Sequence, residues 1–447
     1  MRPPRSPQLL ACTPGQFADR WGVLHSAPSS SNAPSGSAAA AAQAHHHRGL
    51  ALLLAALSAL GPFSTDTYLP SLQEIGRQFG VSPVLVQQSL TAYMVPFAIM
   101  TLWHGAISDA LGRRRPTIVL LACFAAASIG CMCAWDLPSL MFFRALQGMS
   151  AGAGLVIGRA IVRDVFDGAE ARRMMSQVAI MFAVAPAVGP VIGGWLHVWF
   201  GWRSVFAFLA LFSTGLCWWC LRALPETLPI EKRQSLHPKP LLEGYWQAIR
   251  SAPFVALVLS ITLNFAATFT YIMSAPAFLI GQLHRNETEF IWLFGPVTAG
   301  IFLGANLSGY LAGKLSSRRT VAIAFGIMAT AALANVAFHA LHAPALPWSV
   351  LPLALYGIGT SLSMPCLTLM ALDLFPERRG LAASCQAFVQ SGGNAVVTAV
   401  LAPLLWGSAL SLSLGMLVLM SCGALAFLAY LFLLRRNHVP DVAPANR

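Results

Sequence analysis

The sequence predicts an all-α polytopic membrane protein, with twelve transmembrane helices in two pseudo-symmetric six-helix bundles. Three observations carry that class. Of 447 residues, 56% are hydrophobic and 10% charged, against roughly a quarter charged in an ordinary soluble domain. Apolar stretches of about 20 residues, long enough at 1.5 Å per residue to cross a hydrocarbon layer of about 30 Å, recur along nearly the whole chain. Lys and Arg gather in alternate connections, as they do when basic residues are retained on the cytoplasmic side.

The elements follow in order. Residues 1–48 are rich in Ala, Pro, Ser and Gln and lack the charged, apolar and cleavable succession of a signal peptide, so they read as a disordered cytoplasmic tail. His45, His46 and His47 have no second ligand cluster and belong to that tail, so no metal is expected. The first bundle, 49–224, holds apolar cores at 50–72, 84–111, 116–135, 138–162, 174–199 and 204–224. A linker rich in Pro and charge, 225–250, leads to the second bundle, 251–434, with cores at 253–281, 290–312, 321–340, 346–372, 380–405 and 409–434. Residues 435–447 form a cytoplasmic tail.

This topology puts 23 basic residues in inner segments and three, Arg77, Arg203 and Arg285, in outer loops, with both termini inside. The net charge of +12 is thereby a mark of orientation and not of a nucleic-acid partner. Arg144 and Arg159 lie inside a span. Eight of the nine cysteines also fall within spans, and Cys217 and Cys220 of "CWWC" read as small packing residues.

"GAISDALGRRR" at 105–115 and "GYLAGKLSSRR" at 309–319 both leave a span for an inner basic loop, 204 residues apart. "RDVF" at 163–166 and "LDLF" at 372–375 repeat 209 residues apart. A duplicated, parallel pair of halves with a site between them is the architecture of a secondary transporter, because rocking one half on the other exposes the site to each side in turn.

An ionised carboxylate in hydrocarbon costs several kcal/mol, so an acid inside a span is a functional candidate by default. Asp66 is such an acid, and Arg144 lies at a similar depth on an oppositely running span. Burial opposes ionisation and a nearby guanidinium favours it, so a carboxyl balanced between the two can take up and release a proton. Asp66 is the one obvious acid of its span, so one proton per cycle is the simpler expectation. In the inner loop, Gly105 and Gly112 allow close approach, Asp109 is placed to cap a neighbouring helix, and Arg113 follows it on the same face. Asp164 is placed to complete a relay that closes the inner side. Pro186, Gly189, Pro190, Gly193 and Gly194 permit either a hinge or a tight contact. Gly148 with Gly152, and Gly154 with Gly158, have small-xxx-small spacing and no dinucleotide role, for no strand precedes them.

These motifs resemble a known family. "GAISDALGRRR" is similar to the loop signature of the major facilitator superfamily, "RALQG" at 144–148 to its fourth-span signature, and "APAVGPVIGG" at 185–194 to the fifth-span signature of its exporters. "STDTYLPSL", "RDVF" and "PETLP" resemble the Bcr/CflA branch of proton-coupled drug-resistance transporters. The resemblance covers residues 49–434. It implies a proton-titrating first-span acid, an essential fourth-span arginine, a gate at the inner loop, a fifth-span bend that favours export, and a bacterial inner-membrane location. Some exporters of this kind carry a second first-span acid eight residues before the first, where this chain has Ser58. Ala110 replaces the usual basic residue of the loop signature, and Gly313 stands in the second half where Asp109 stands in the first.

Polar and aromatic residues within spans are the pointers to cargo. Gln386, Gln390 and Asn394 recur every four residues on one helix face, continued by Thr398. Tyr93, Met94, Phe97, Gln147, Asn264, Phe269, Tyr271 and Met273 complete the candidate cavity. The expected function is proton-coupled export of small amphiphilic or drug-like molecules by a monomer without cofactor. A carrier of one metabolite, such as an amino acid or small peptide, is the alternative. A membrane enzyme or sensor is disfavoured, since the chain has no HExxH, GxSxG or P-loop.

Overall fold

The computed structural model describes residues 36–166, 168–233 and 238–436. Its helices are α1 (Gly36–Asp66), α2 (Leu72–Phe79), α3 (Pro83–Leu111), α4 (Arg114–Met132), α5 (Leu137–Ala151), α6 (Ala153–Val165), α7 (Gly168–Phe200), α8 (Arg203–Ala223), α9 (Pro238–Arg250), α10 (Ala252–Met273), α11 (Ile291–Leu311), α12 (Ser317–Leu341), α13 (Leu351–Asp373), α14 (Arg379–Val396), α15 (Ala402–Leu405) and α16 (Ala409–Arg436). Among the described residues there is no strand. Eleven helices or near-continuous helix pairs are long and apolar enough to cross a bilayer, and α7 supplies a shorter apolar helix, Val184–Phe200.

The chain divides into residues 1–47 and a compact unit from Arg48 onward. Residues 36–47, expected to be disordered, are helical. Their run of Ala has the highest intrinsic helix propensity of any residue. The rest of that tail, Asp167, 234–237 and 437–447 lie outside the described residues, as do the side chains of His45, His46 and His47.

Local chemistry places the helix boundaries. Asp136 and Ser139 form a reciprocal capping box at the start of α5: Ser139 N donates to Asp136 Oδ1 at 2.9 Å and Asp136 N to Ser139 Oγ at 3.3 Å. Ser82 and Ser316 cap α3 and α12 in the same sense, with single bonds from Leu85 N and Arg319 N. The first apolar core, expected to run unbroken to residue 72, ends as a regular helix at Asp66 and resumes as a 3-10 turn, Leu69–Ser71, before α2. Pro70 causes this break. It brings no N–H to the Asp66 carbonyl four residues back, and its ring clashes there. The fourth core is likewise divided, at Gly152, into α5 and α6.

Within each half the helices meet backbone to backbone. A Cβ at Gly148 would fall on the Tyr93 carbonyl, at Gly154 on the Leu57 carbonyl, and at Gly193 on the Thr67 carbonyl. Gly300 and Gly304 of α11 approach the carbonyls of Ala354 and Ile358 of α13 in the same way. The small-residue spacing thus serves close helix packing. Helices α10 and α16, α11 and α13, α12 and α13, α3 and α5, and α4 and α8 are the most extensively paired, while α3 with α14 and α7 with α11 join the first six spans to the second six.

Candidate functional site

The break after α1 presents Asp66 at the end of a helix and inside the protein. The residue is 4% exposed. Its nearest donor, Thr65 Oγ1 at 3.1 Å, is also 3.0 Å from Pro62 O, so one hydroxyl proton serves two acceptors. Gly189 of α7 lies against it: a Cβ there would sit 3.2 Å from Asp66 Cβ. Gly193 covers the next turn at Thr67. Helix α7 stays helical through Pro186 and Pro190. The glycines among the residues expected to hinge therefore act here as a smooth bed for the end of α1, and Gly194 approaches the Glu287 carbonyl in the α10–α11 connection of the other half.

Arg144, expected at a similar depth, is fully buried, but it does not pair with Asp66. Its Nη1 donates to Ser64 O at 3.1 Å, Ser64 Oγ at 3.2 Å and Gln147 Oε1 at 2.8 Å. The Tyr68 and Tyr93 rings flank the guanidinium, with centroids 4.9 and 4.5 Å from Cζ. Nε and Nη2 have no partner among the described residues. The reason is helical geometry: residues 64 and 66 are about 200° apart around α1, so the side that meets Arg144 is opposite the side that carries Asp66. Gln147 is tied in turn to Ser128 Oγ at 2.7 Å.

The inner loop carries the second cluster. Arg113, 6% exposed, forms ion pairs with Asp109 and with Asp164 (Nε–Oδ2 2.8 Å), and donates to Ser108 Oγ at 2.7 Å. Burial opposes its charge, yet the hydrogen bonds it donates to the Asp164 and Asp109 carboxylates outweigh that and hold the guanidinium above its ordinary value. Asp109, expected to cap a helix, is an ion-pair partner instead. The cap of α4 is Glu226, from the linker. Its Oε1 accepts from Arg113 N at 2.7 Å and Leu228 N at 3.1 Å, and its Oε2 from Arg114 N at 3.3 Å. Arg233 stands 3.7 Å away. Burial, the largest single influence, pushes the Glu226 carboxyl upward, but these three N–H groups and Arg233 together hold it below the usual carboxylate range. Thr227 Oγ1 reaches Asp164 Oδ2 at 3.2 Å. Gly112 has φ +88°, and a Cβ there would collide with the Glu226 carboxylate and lie 2.8 Å from Arg233 Nη2. Any other residue would be strained there and would displace the Glu226 carboxylate. Gly105 is looser, 3.9 Å from Val156.

The candidate cavity residues separate by helix face. On α10, Asn264 points at Gly423 of α16, where a Cβ would lie 2.5 Å from Oδ1, and Tyr271, seven residues on, accepts a bond from Asn335 of α12 at 2.8 Å. Residues seven apart share a face, so both turn into their own half and away from the first; this corrects their assignment to the cavity. On the other face, Thr262 meets Gly393 of α14, Phe269 stacks on Phe265 at 5.8 Å, and Met273 O accepts from Gln87 Nε2 of α3 at 3.4 Å. Gln386 donates to Thr368 of α13 at 3.0 Å, and with Gly393 on the same face the row with Gln390 and Asn394 turns toward α13 and α10. Tyr93 stacks on Phe97 at 5.9 Å, with Met94 buried beside them.

Sequence reasoning missed the roles of Glu226, Ser64 and Tyr68 and the contact at which Gln87 and Gln88 Nε2 of α3 bond Met273 O and Ala399 O (3.1 Å) of the second six spans. An acid between two prolines, directly after a span and opposite a bare helix start, was the available signal for Glu226.

Membrane-length helices meeting along glycine seams, with an acid and a cation sealed among them, define a multi-pass membrane carrier of small molecules. The model of the Major Facilitator Superfamily matches residues 51–398, and the chain belongs to that superfamily, one of transporters and not of enzymes. It is 32% identical to the uncharacterized MFS-type transporter YdgK of Bacillus subtilis, over 75% of this chain and 84% of the relative. It is 26% identical to multidrug resistance protein D of Escherichia coli, over 79% and 89% of the two chains. Among solved structures, a bacterial homolog of the human lysosomal transporter Spinster has the same fold, with TM-score 0.66 at 15% identity over 87% of this chain and 97% of the other.

Proposed function

We propose that the protein is a proton-driven exporter of small amphiphilic or drug-like molecules. It works as a monomer in the bacterial inner membrane with both termini in the cytoplasm, and its halves, 49–224 and 251–434, rock about the site between them. The observation that carries this reading is Asp66, buried at a helix break with a half-share of one hydroxyl and no ion-pair partner among the described residues. A carboxylate left ionised in such a place costs several kcal/mol. Asp66 therefore closes with its proton and ionises when rocking opens a water path, which ties proton movement to the rocking itself. Arg144, held by Ser64 and Gln147 on the opposite side of α1, senses that change through the helix and not through an ion pair. Arg113 with Asp109, Asp164 and Glu226 closes the inner side. The multidrug-resistance relative in Escherichia coli supports the choice of cargo and direction.

The test is Asp66→Asn in inverted membrane vesicles, with a panel of antibiotics and metabolites and a pH-sensitive dye. The variant is expected to insert normally, to lose substrate-induced proton release and to lose accumulation against a gradient. Retained uphill transport by a properly inserted variant would falsify the proton role. A response to one metabolite alone would turn the cargo assignment toward a dedicated carrier.

A further inference from the structure

A cavity of about 590 Å³ opens at the outer face, at the seam between the halves. From the first half it is lined by α2 and the start of α3, including Gln73, Arg77 and Gln87; from the second by Met273, Pro276 and Trp406. Its size falls within the range of sites for drug-sized ligands, roughly 300–1,000 Å³. The walls are mostly apolar, and the one charged side chain among them is Arg77. Glu74, one turn earlier on α2, is directed to His197 at 3.1 Å, and no carboxylate among the described residues comes within ion-pair distance of Arg77. Gln282 Nε2 fixes the far wall by donating to Trp406 O at 2.7 Å. An apolar slot with one guanidinium at its rim, not held in a direct ion pair, matches an organic anion: a flat apolar body with one sulfonate or carboxylate, which Arg77 would hold by charge-assisted hydrogen bonds.

We propose that this vestibule binds small aromatic anions from the outer side and that such binding locks the carrier with its outer side closed. The lock follows from the walls. Gln87 and Met273, which line the cavity, are also joined to each other by the hydrogen bond that seals the outer face. When the halves part on that side, the walls part and the site ceases to exist. A ligand that binds one of two states shifts the equilibrium toward it by its differential affinity.

Naphthalene-2-sulfonate and the cation 2-naphthylmethylammonium serve as probes on the purified full-length protein in nanodiscs. Binding is read by calorimetry and by the rise in unfolding temperature, so the outcome does not depend on which cargo the carrier moves. The sulfonate is expected to bind and the ammonium not to. Arg77→Gln should weaken sulfonate binding roughly tenfold or more, the scale of a lost charge-assisted bond, while Arg77→Lys and wild type stay close, and Trp406→Leu should weaken it without changing the preference for the anion. With Gln88→Cys on a cysteine-free chain, saturating sulfonate should slow labelling by an outside maleimide. The proposal is overturned if Arg77→Gln binds the sulfonate as wild type does, if the ammonium binds as well, if neither binds at millimolar concentration, or if the sulfonate speeds the labelling.

Discussion

Replacing Gly112 by Ala tests the inner clasp. Gly112 has φ +88° and ψ 170°, a region that is essentially restricted to glycine and costs other residues of order 1–3 kcal/mol. The added Cβ also lands on the Glu226 carboxylate, which must then leave the N–H groups of Arg113 and Arg114. Loss of a helix cap costs about 0.5–2 kcal/mol. Together Gly112→Ala is expected to destabilise by about 3 kcal/mol, of which about 1 belongs to the cap. In a Glu226→Ala background that second part is already gone, so the same substitution should cost about 2 kcal/mol, a coupling of about 1 in a double-mutant cycle. Gly313, with φ +79° and open space around it, is the control: Gly313→Ala should cost about 1 kcal/mol, from conformation alone. Reversible unfolding in mixed micelles, titrated with a denaturing detergent, reads all four variants. A Gly112→Ala protein as stable as wild type, or one whose cost is the same with and without Glu226, refutes the reasoning.

Acid dependence follows from the same clasp. Because the folded-state carboxyl of Glu226 is held below its ordinary value, its contribution is present in full above the unfolded value of about 4.3 and disappears as pH falls through the folded one. The stability gap between wild type and Glu226→Gln should be constant near neutrality and close below about pH 4; a gap that widens on acidification contradicts the assignment. At the outer side, Gly194→Ala pushes a methyl against the Glu287 carbonyl, and overpacking of 1–3 kcal/mol is expected to speed maleimide labelling of Gln88→Cys about tenfold; unchanged labelling would show that the seal does not rest on this approach. Gly193→Ala, which meets the Thr67 carbonyl, should lower thermal stability while leaving the outer seal as closed as before, and a rise in labelling equal to that of Gly194→Ala would show that the two contacts are not separate.

The spans were legible because hydropathy at membrane length is written in runs of 20 residues, and the inner loop because glycine, acid and arginine stand within a few positions of each other. Pro70 was visible too, and its effect on the Asp66 carbonyl follows from covalent geometry alone. What the sequence did not show was azimuth. Counting residues sets Asp66 and Arg144 at a similar depth, yet a two-residue step around α1 turns Asp66 toward α7 while Arg144 meets Ser64. The same holds on α10, where Asn264 and Tyr271 face away from Phe269 and Met273. Depth comes from counting residues along one helix, whereas facing depends on which neighbour lies where, and that is set by long-range packing.

The seams at Gly148, Gly154, Gly300 and Gly304 also bear on how work is transmitted. Where main chain rests on main chain there is no layer of side chains to compress or re-rotamerise, and close-packed interiors do not deform continuously. Each half is thereby stiff in the way a lever is stiff. A methyl added in one of these seams is expected to push the two main chains apart without touching Asp66 or Arg113.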